Sequence, residues 1–442
     1  MFQTFKNAWK VPELRKKILF TLMIILLDRI GATLTVPFVV PIDSDQASIL
    51  QGGLFQFMGL ISGSAFSQAT FFALSVSPYI TASIVMQLLT IAIPALERMS
   101  KDEDGKKKIS AATRWVTVGL ALITAYGYVN MLKISGMLNF GSVNEVFGWI
   151  VMIACFCAGA SLIMWLAEKI NDHGIGNGIS MILFANILSG GAAAVQSLIN
   201  MVPFTGIGEW KLDNEVLGYV LGALEVLISL AVALAAVILV VWFTNSERRI
   251  KVIYAKKVVG RKMYGGQKTN LPLKMNMAGV MPVIFASSIV SIPATIAAFF
   301  PKSGFAEFVT NWLSQVSPIY IVIFIILVFL FSFFYIAISF NPVEVANNIR
   351  SNGGAIIGIR PQEMAPFIKK ILNRVTMMGA VFLVIIAAVP MIVGAIVTAV
   401  GGNFTSLAFA GTSLLIVVGV ALETVRDLEA QLSMRNYKGF LD

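Results

Sequence analysis

Few residues in this sequence could carry metal, redox or proton chemistry, and they do not cluster. The two cysteines, Cys155 and Cys157, sit two apart in an apolar run. That spacing puts them on different helix faces and argues against a bridge, so they read as small packing residues. The single histidine, His173, cannot build a metal site alone. The sequence contains no Ser/His/Asp set, no Gly-x-x-x-x-Gly-Lys phosphate loop, and no zinc or haem spacing. It therefore predicts no enzyme and no cofactor. What remains are charges inside apolar stretches: Asp28 and Arg29 in the first, Glu225 in another. Intramembrane charge is costly and by default functional. One function class it fits is an ion-coupled secondary transporter, with Asp28 or Glu225 as the coupling carboxylate.

The elements that must hold these residues are membrane spans. Of 442 residues, 57% are hydrophobic and 13% charged, and the mean hydropathy is +0.83. A soluble globular chain carries roughly 25% charged residues, so this one could not cover its surface in water. Apolar runs of spanning length, about 20 residues, recur from end to end. The expected spans are Ile18–Pro37, Ala73–Ile93, Trp115–Leu132, Trp149–Ala167, Ile179–Ile199, Val216–Phe243, Met277–Phe300, Pro318–Phe340, Val375–Val397 and Leu407–Leu422. Backbone groups in lipid must bond within the segment, so these are helices. The first run comes after basic residues, as in a signal peptide. No small-residue cleavage site closes it, and it reads as a retained span.

Basic residues set the orientation. All of the 33 Lys and Arg except Arg29, Lys133, Lys211 and Lys302 fall in the N-terminal segment, in alternate loops or in the tail. Both termini are expected on the cytoplasmic side. The loops after spans six and eight are long and mix charge with apolar residues. Arg249-Ile-Lys-Val-Ile-Tyr254 partly alternates, predicting a short strand, and Gly260, Gly265 and Gly266 punctuate the stretch beyond it. A projecting hairpin and a basic loop held at anionic headgroups both fit this pattern. Between spans one and two, Leu54-Phe-Gln-Phe-Met-Gly-Leu-Ile-Ser-Gly-Ser64 is apolar but too short to span. It reads as a half-inserted segment shielded by protein or a watery cavity. A helix lying flat at the interface normally carries charge on its polar face, and this one has none.

Several motifs are specific. They are Phe72-Ala-Leu-Ser-Val-Ser-Pro-Tyr-Ile-Thr-Ala-Ser-Ile-Val-Met-Gln-Leu-Leu89, Gly174-Ile-Gly-Asn-Gly-Ile-Ser180 and Leu271-Pro-Leu-Lys-Met-Asn-Met-Ala-Gly-Val-Met-Pro282. Phe340-Asn-Pro342, Gly358-Ile-Arg-Pro361 and Gly411-Thr-Ser-Leu-Leu-Ile416 come after them in the chain. In this order, at matching spans, they resemble the SecY family, which forms the channel of the Sec protein translocase. The resemblance implies an all-α membrane fold of about ten spans in two inverted five-helix halves, a clamshell with a central pore and a lateral gate. The halves would be 18–200 and 216–425, joined by an external hinge loop at 201–215. Cytoplasmic segments would be 1–17, 244–275, 341–374 and 426–442.

The family's pore ring carries over to Val76, Ile80, Ile179, Leu183, Ile284 and Ile416, all aliphatic here. Val76 and Ile80 are four apart, as are Ile179 and Leu183, so each pair shares a helix face. An apolar constriction dewets and refuses ions. The plug implied by the resemblance is 54–64, with Leu54, Phe55, Phe57, Met58, Gly59, Leu60 and Ile61 as its body. The lateral gate would be the contact of spans two and three with spans seven and eight, near Gln87 and Asn276. Arg248, Arg249, Lys256, Lys257 and Arg360 would dock the motor ATPase SecA and the ribosome. The small subunits SecE and SecG would flank the bundle, signal sequences and unfolded secretory chains would be its substrates, and the cytoplasmic membrane its site. Arg29 fits the family's Arg-Ile-Gly, while Asp28 beside it is unusual and Glu225 has no counterpart. A pure scaffold is the third function class.

Overall fold

Proline and asparagine mark where helices begin. In the computed structural model, α1 (Phe2–Lys10) leads into α2 (Pro12–Gly31), and α3 (Ser77–Ala92) turns into α4 (Pro94–Lys101). Next come the long helices α5 (Glu103–Ile134) and α6 (Glu145–His173), then α7 (Gly178–Asn200) and a short α8 (Leu234–Asn245). The second part holds α9 (Met281–Ala297), α10 (Gly304–Trp312), α11 (Pro318–Ser339), α12 (Pro342–Ser351), α13 (Met364–Ala399) and α14 (Thr405–Lys438). Proline sits in the first turn of α2, α3, α4, α11 and α12, where its missing N–H is no loss. Asn144 caps α6 by accepting from Val146 N at 3.1 Å, and Asn341 caps α12 by accepting from Val343 N at 3.1 Å.

The described residues are 2–40, 62–200, 227, 231, 234–254, 257–259, 262–264, 268–297, 299–300, 303–313, 317–399 and 405–438. The plug body Leu54 to Ile61, the expected hinge at 201–215, most of the expected sixth span with Glu225, and Lys256 lie outside them. Each other expected span coincides with a described helix. Four helical stretches among the described residues are long and apolar enough to cross a membrane unaided: Glu103–Ile134, Glu145–His173, Pro318–Ser351 and Pro361–Val393. A further candidate, Ser77–Ala92 with Pro94–Lys101, is bent by 105°.

The ends differ from the expected ones in two ways. The first span stops at Gly31 instead of Pro37, because 32–36 leaves the helix to pair with 69–71. Phe71 N donates to Leu34 O at 2.7 Å, and Thr35 bridges Thr70. Gly31 allows the crossing: a Cβ there would stand 2.0 Å from the Phe72 ring. In contrast α5, α13 and α14 outrun their apolar cores by a dozen residues or so. Hydropathy marks where lipid ends, whereas a helix continues as long as its backbone bonds do.

Two apolar clusters fill the bundle. The larger joins Ile24, Ile80, Ile163, Ile182, Val283, Phe324, Leu383 and Leu415 from different helices. The smaller packs Phe66, Tyr128 and Phe156 with the start of α3 against α5 and α6. Outside, Leu22, Leu26, Ile326 and Leu330 are exposed, as lipid-facing positions should be.

At the end that carries the basic loops, the chain changes architecture. Strands β1 (Glu247–Tyr254) and β4 (Lys268–Lys274) pair antiparallel, with Arg249 opposite Pro272. Between them β2 (Lys257–Val259) pairs β3 (Lys262–Tyr264). A fifth strand, β5 (Gly354–Ile356), comes from the other long loop and completes the order β4-β1-β5. The hairpin agrees with the alternation at 249–254. The third strand was not expected.

Candidate functional site

The residues expected to form the pore ring, here called the waist, are positioned by local backbone devices at the starts of helices. For α7 the device is the Gly-Ile-Gly-Asn-Gly turn. Gly176 has φ +76°, a left-handed conformation that favours glycine. A Cβ on Gly178 would stand 1.9 Å from Ala167 O, so only glycine fits that crossing. Asn177 Oδ1 then accepts from Ile179 N at 3.1 Å and caps the helix. The cap fixes the phase that turns Ile179 and Leu183 the same way.

For α3 the device is Ser75. It holds φ +48°, an uncommon conformation for a residue with a Cβ. Asn186 Nδ2 donates to its Oγ at 3.0 Å. Asn186 is buried on α7, one turn beyond Leu183, and its carbonyl oxygen would lie 3.0 Å from a Cβ on Gly63 (φ +63°). One residue thus ties span two, span five and the downstream end of the expected plug. Sequence reading passed over Asn186; its only signal is an amide in an otherwise apolar run.

All six aliphatic residues fall in one apolar cluster. Val76, Ile80, Leu183, Ile284 and Ile416 are buried in it, and Ile179 is half-buried against it. They come from α3 and its cap, α7, α9 and α14, four helices far apart in sequence. Toward the basic end the cluster gives way to a cavity of about 550 Å³. Val280, one turn before Ile284, belongs to both the cluster and the cavity wall, and Gly419, three residues after Ile416, lines that wall beside it. Its polar lining includes Asn177, Lys274, Asn276, Arg426 and Asp427. Partial burial, and then the Arg426 cation, lower the pKa of Lys274, while Glu247 and Glu423 oppose that. Asp427 accepts from Gly176 N at 3.1 Å, and Arg426 donates to Thr244 O at 2.6 Å and to Asn245 Oδ1 at 2.8 Å. The polar cavity thus abuts the apolar cluster, and an apolar constriction is the kind of element that dewets and refuses ions.

The two amides expected at the lateral gate are placed differently. Gln87 is half-buried on α3 and bonds Ser83 of its own helix at 3.2 Å. Asn276 is buried before α9, beside Gly379 of α13, and its Oδ1 has no hydrogen-bond partner among the described residues. Each faces its own surroundings. Asp28 is 1% exposed and paired to Arg29 at 2.6 Å, with both Nε and Nη2 of the guanidinium on one carboxylate oxygen. The carboxylate that stands beside Arg29 in the sequence is ion-paired to it in the structure.

The residues expected to dock partners lie on and around the strands. Arg248 and Arg249 are exposed and, as neighbours on β1, point to opposite faces. Lys257 opens β2 opposite Tyr264. Arg360 is exposed on a turn closed by Ile359 N to Ile356 O at 3.2 Å and Glu363 N to Arg360 O at 2.9 Å. Arg350 of α12 donates to the Pro361 carbonyl. Beneath lies a separate apolar core of Ile250, Val252, Leu273, Ile349, Ile356 and Met364. Sequence reading treated the loops after spans six and eight as two; they fold as one unit.

Comparison with known proteins decides what this bundle is. The family model described as SecY matches residues 70–425. The chain belongs to the SecY family. The protein translocase subunit SecY of Streptomyces galbus is 42% identical over the whole of both chains. A solved protein-conducting channel superposes with a TM-score of 0.63 at 19% identity, covering 96% of each chain. Sec61 from a canine ribosome-channel complex of the endoplasmic reticulum does so at 0.58 and 17%, again over 96% of each. The fold is therefore the clamshell of the SecY and Sec61 channels, embedded in a membrane.

Proposed function

We propose that Val76, Ile80, Ile179, Leu183, Ile284 and Ile416 are the ring through which unfolded polypeptides pass. The chain is the channel subunit of the Sec translocon, and the ring is the part of it that meets the substrate. The observation that carries the reading is the convergence of six aliphatic side chains from four helices on one cluster with a polar chamber beneath it. Branched aliphatic groups bind neither water nor peptide strongly and deform around different side chains. Segment 54–64 is the plug that fills the far side at rest. Halves 18–200 and 216–425 open about the 201–215 hinge, and spans two and three part from seven and eight to release hydrophobic segments into lipid. Gln87 and Asn276 tune that seam.

The basic end faces the cytoplasm of the cell membrane, with both termini there. The sheet with Arg248, Arg249, Lys256, Lys257 and Arg360 docks SecA and the ribosome, whose acidic protein and RNA surfaces suit its charge. SecE and SecG flank the bundle. The decisive experiment is a stalled secretory chain carrying photocrosslinking groups. Crosslinks concentrated on the six ring residues support the reading; crosslinks that avoid all six end it.

A further inference from the structure

At the end of the bundle away from the basic loops, α5 and the exit of α9 are joined by a small aromatic assembly. Phe299, just past α9, stacks on Tyr126 of α5 with ring centroids 5.7 Å apart and planes 15° from parallel. Gly127 is buried beneath it, and a Cβ there would stand 3.3 Å from the Phe299 ring. One turn on, Asn130 Nδ2 donates to the Phe299 carbonyl at 3.3 Å. Tyr126 is held on its other side by Trp149 of α6 at 5.6 Å. Nothing in the waist or the docking sheet uses these residues. They join span three to span seven.

We infer that Tyr126, Gly127, Asn130 and Phe299 form a latch on the outer end of the lateral gate and set how hydrophobic a segment must be to open it. The inference rests on the gate reading, in which spans two and three separate from seven and eight. Opening must unstack the rings, break the Asn130 bond and lift Phe299 out of the Gly127 notch. A segment entering the seam replaces those contacts with its own apolar surface. Strongly hydrophobic segments do so readily and weak ones fail, so the latch acts as a threshold. The glycine is what makes the ring seat deep: any larger residue at 127 would push Phe299 outward.

The test compares two precursors in membrane vesicles carrying the full chain: one with a normal signal segment, one with its apolar core shortened. The readout is the ratio of their export rates. Phe299→Leu and Tyr126→Leu keep apolar bulk but remove the stack, and each should raise the weak-to-normal ratio about two- to tenfold, the factor a stacked pair contributes. The double variant should gain little beyond either single one, because both remove the same contact. A thiol crosslink between Tyr126→Cys and Phe299→Cys should block both precursors until it is cleaved. A signal-segment photocrosslink to α3 and α9 is measured in parallel. An unchanged ratio in both leucine variants, with that photocrosslink retained, overturns the latch alone. Photocrosslinks to other helices instead overturn the gate reading and the latch with it.

Discussion

The aliphatic cluster proposed as the pore neck and the basic sheet proposed for docking are built on opposite principles within 442 residues. The six aliphatic side chains come from distant helices, and the hydrogen bonds near them, Asn186 to Ser75 and the Asn177 cap, are made by other groups, so the aliphatic groups can deform without leaving a hydrogen bond unmade. The sheet is held by backbone bonds, by glycine turns and by Arg350 gripping the Pro361 carbonyl, and it presents fixed charges. A channel for varied substrates needs a soft neck, while a platform for defined partners needs a rigid face. The difference predicts which substitutions each refuses: the neck, changes of polarity; the sheet, changes of charge or of backbone shape.

The sharpest challenge to this contrast is charge reversal on the sheet. Arg360→Glu should abolish motor-driven export while the protein assembles in normal amount; export at the usual rate would remove Arg360 from docking. Next is polarity at the neck. Ile80→Asn or Ile284→Asn should raise resting ion conductance several-fold in planar bilayers, because a buried amide draws water into a dewetted constriction. Ile80→Leu should leave the conductance near its original level, and equal leaks in both would show that shape rather than polarity seals the neck. Rigidity of the sheet comes third. A Cβ on Gly354 would meet Ile349 Cγ2 at 2.8 Å and the Tyr254 ring at 2.9 Å. Gly354→Val should therefore destabilise the sheet by about 1–3 kcal/mol, read as faster proteolysis near Arg360 with the bundle intact. The smallest effect belongs to Asn186→Ala. Losing its bond to Ser75 should cost about 0.6 kcal/mol, the mean for such bonds in a bilayer, and show as a modest rise in plug-to-exterior crosslinking. No change would leave Asn186 a packing residue.

Much of this was legible beforehand, unevenly. Spans were readable because lipid imposes a strong, local requirement on composition. The β1–β4 hairpin was readable from alternation at 249–254. β5 was not: Gly354-Ala-Ile356 is three residues long, and its partner lies about a hundred positions away in sequence. The six residues proposed as the ring look like any aliphatic positions in the sequence, and only the resemblance to the family singles them out. Asn186 and Ser75 were invisible because their significance lies in a contact across span boundaries. The pairing of Asp28 was not read from the sequence, because a carboxylate's environment depends on rotamers. Its pairing with Arg29 is a matter of how one guanidinium folds back, which no spacing rule for adjacent helix positions anticipates.

The last helix reaches well past its apolar segment to Lys438. There it receives the first: Ala8 and Leu14 pack with Leu428, Thr4 donates to Glu429 at 3.0 Å and Lys17 to Gln431 at 3.2 Å. During synthesis the opening residues are made more than four hundred positions before their seat exists. Until Leu428 is made, Ala8 and Leu14 can pack only on the rest of their apolar cluster, Ile18 and Ile175. The contact of Ala8 and Leu14 with Leu428 therefore forms only once nearly all of the intervening chain has been made.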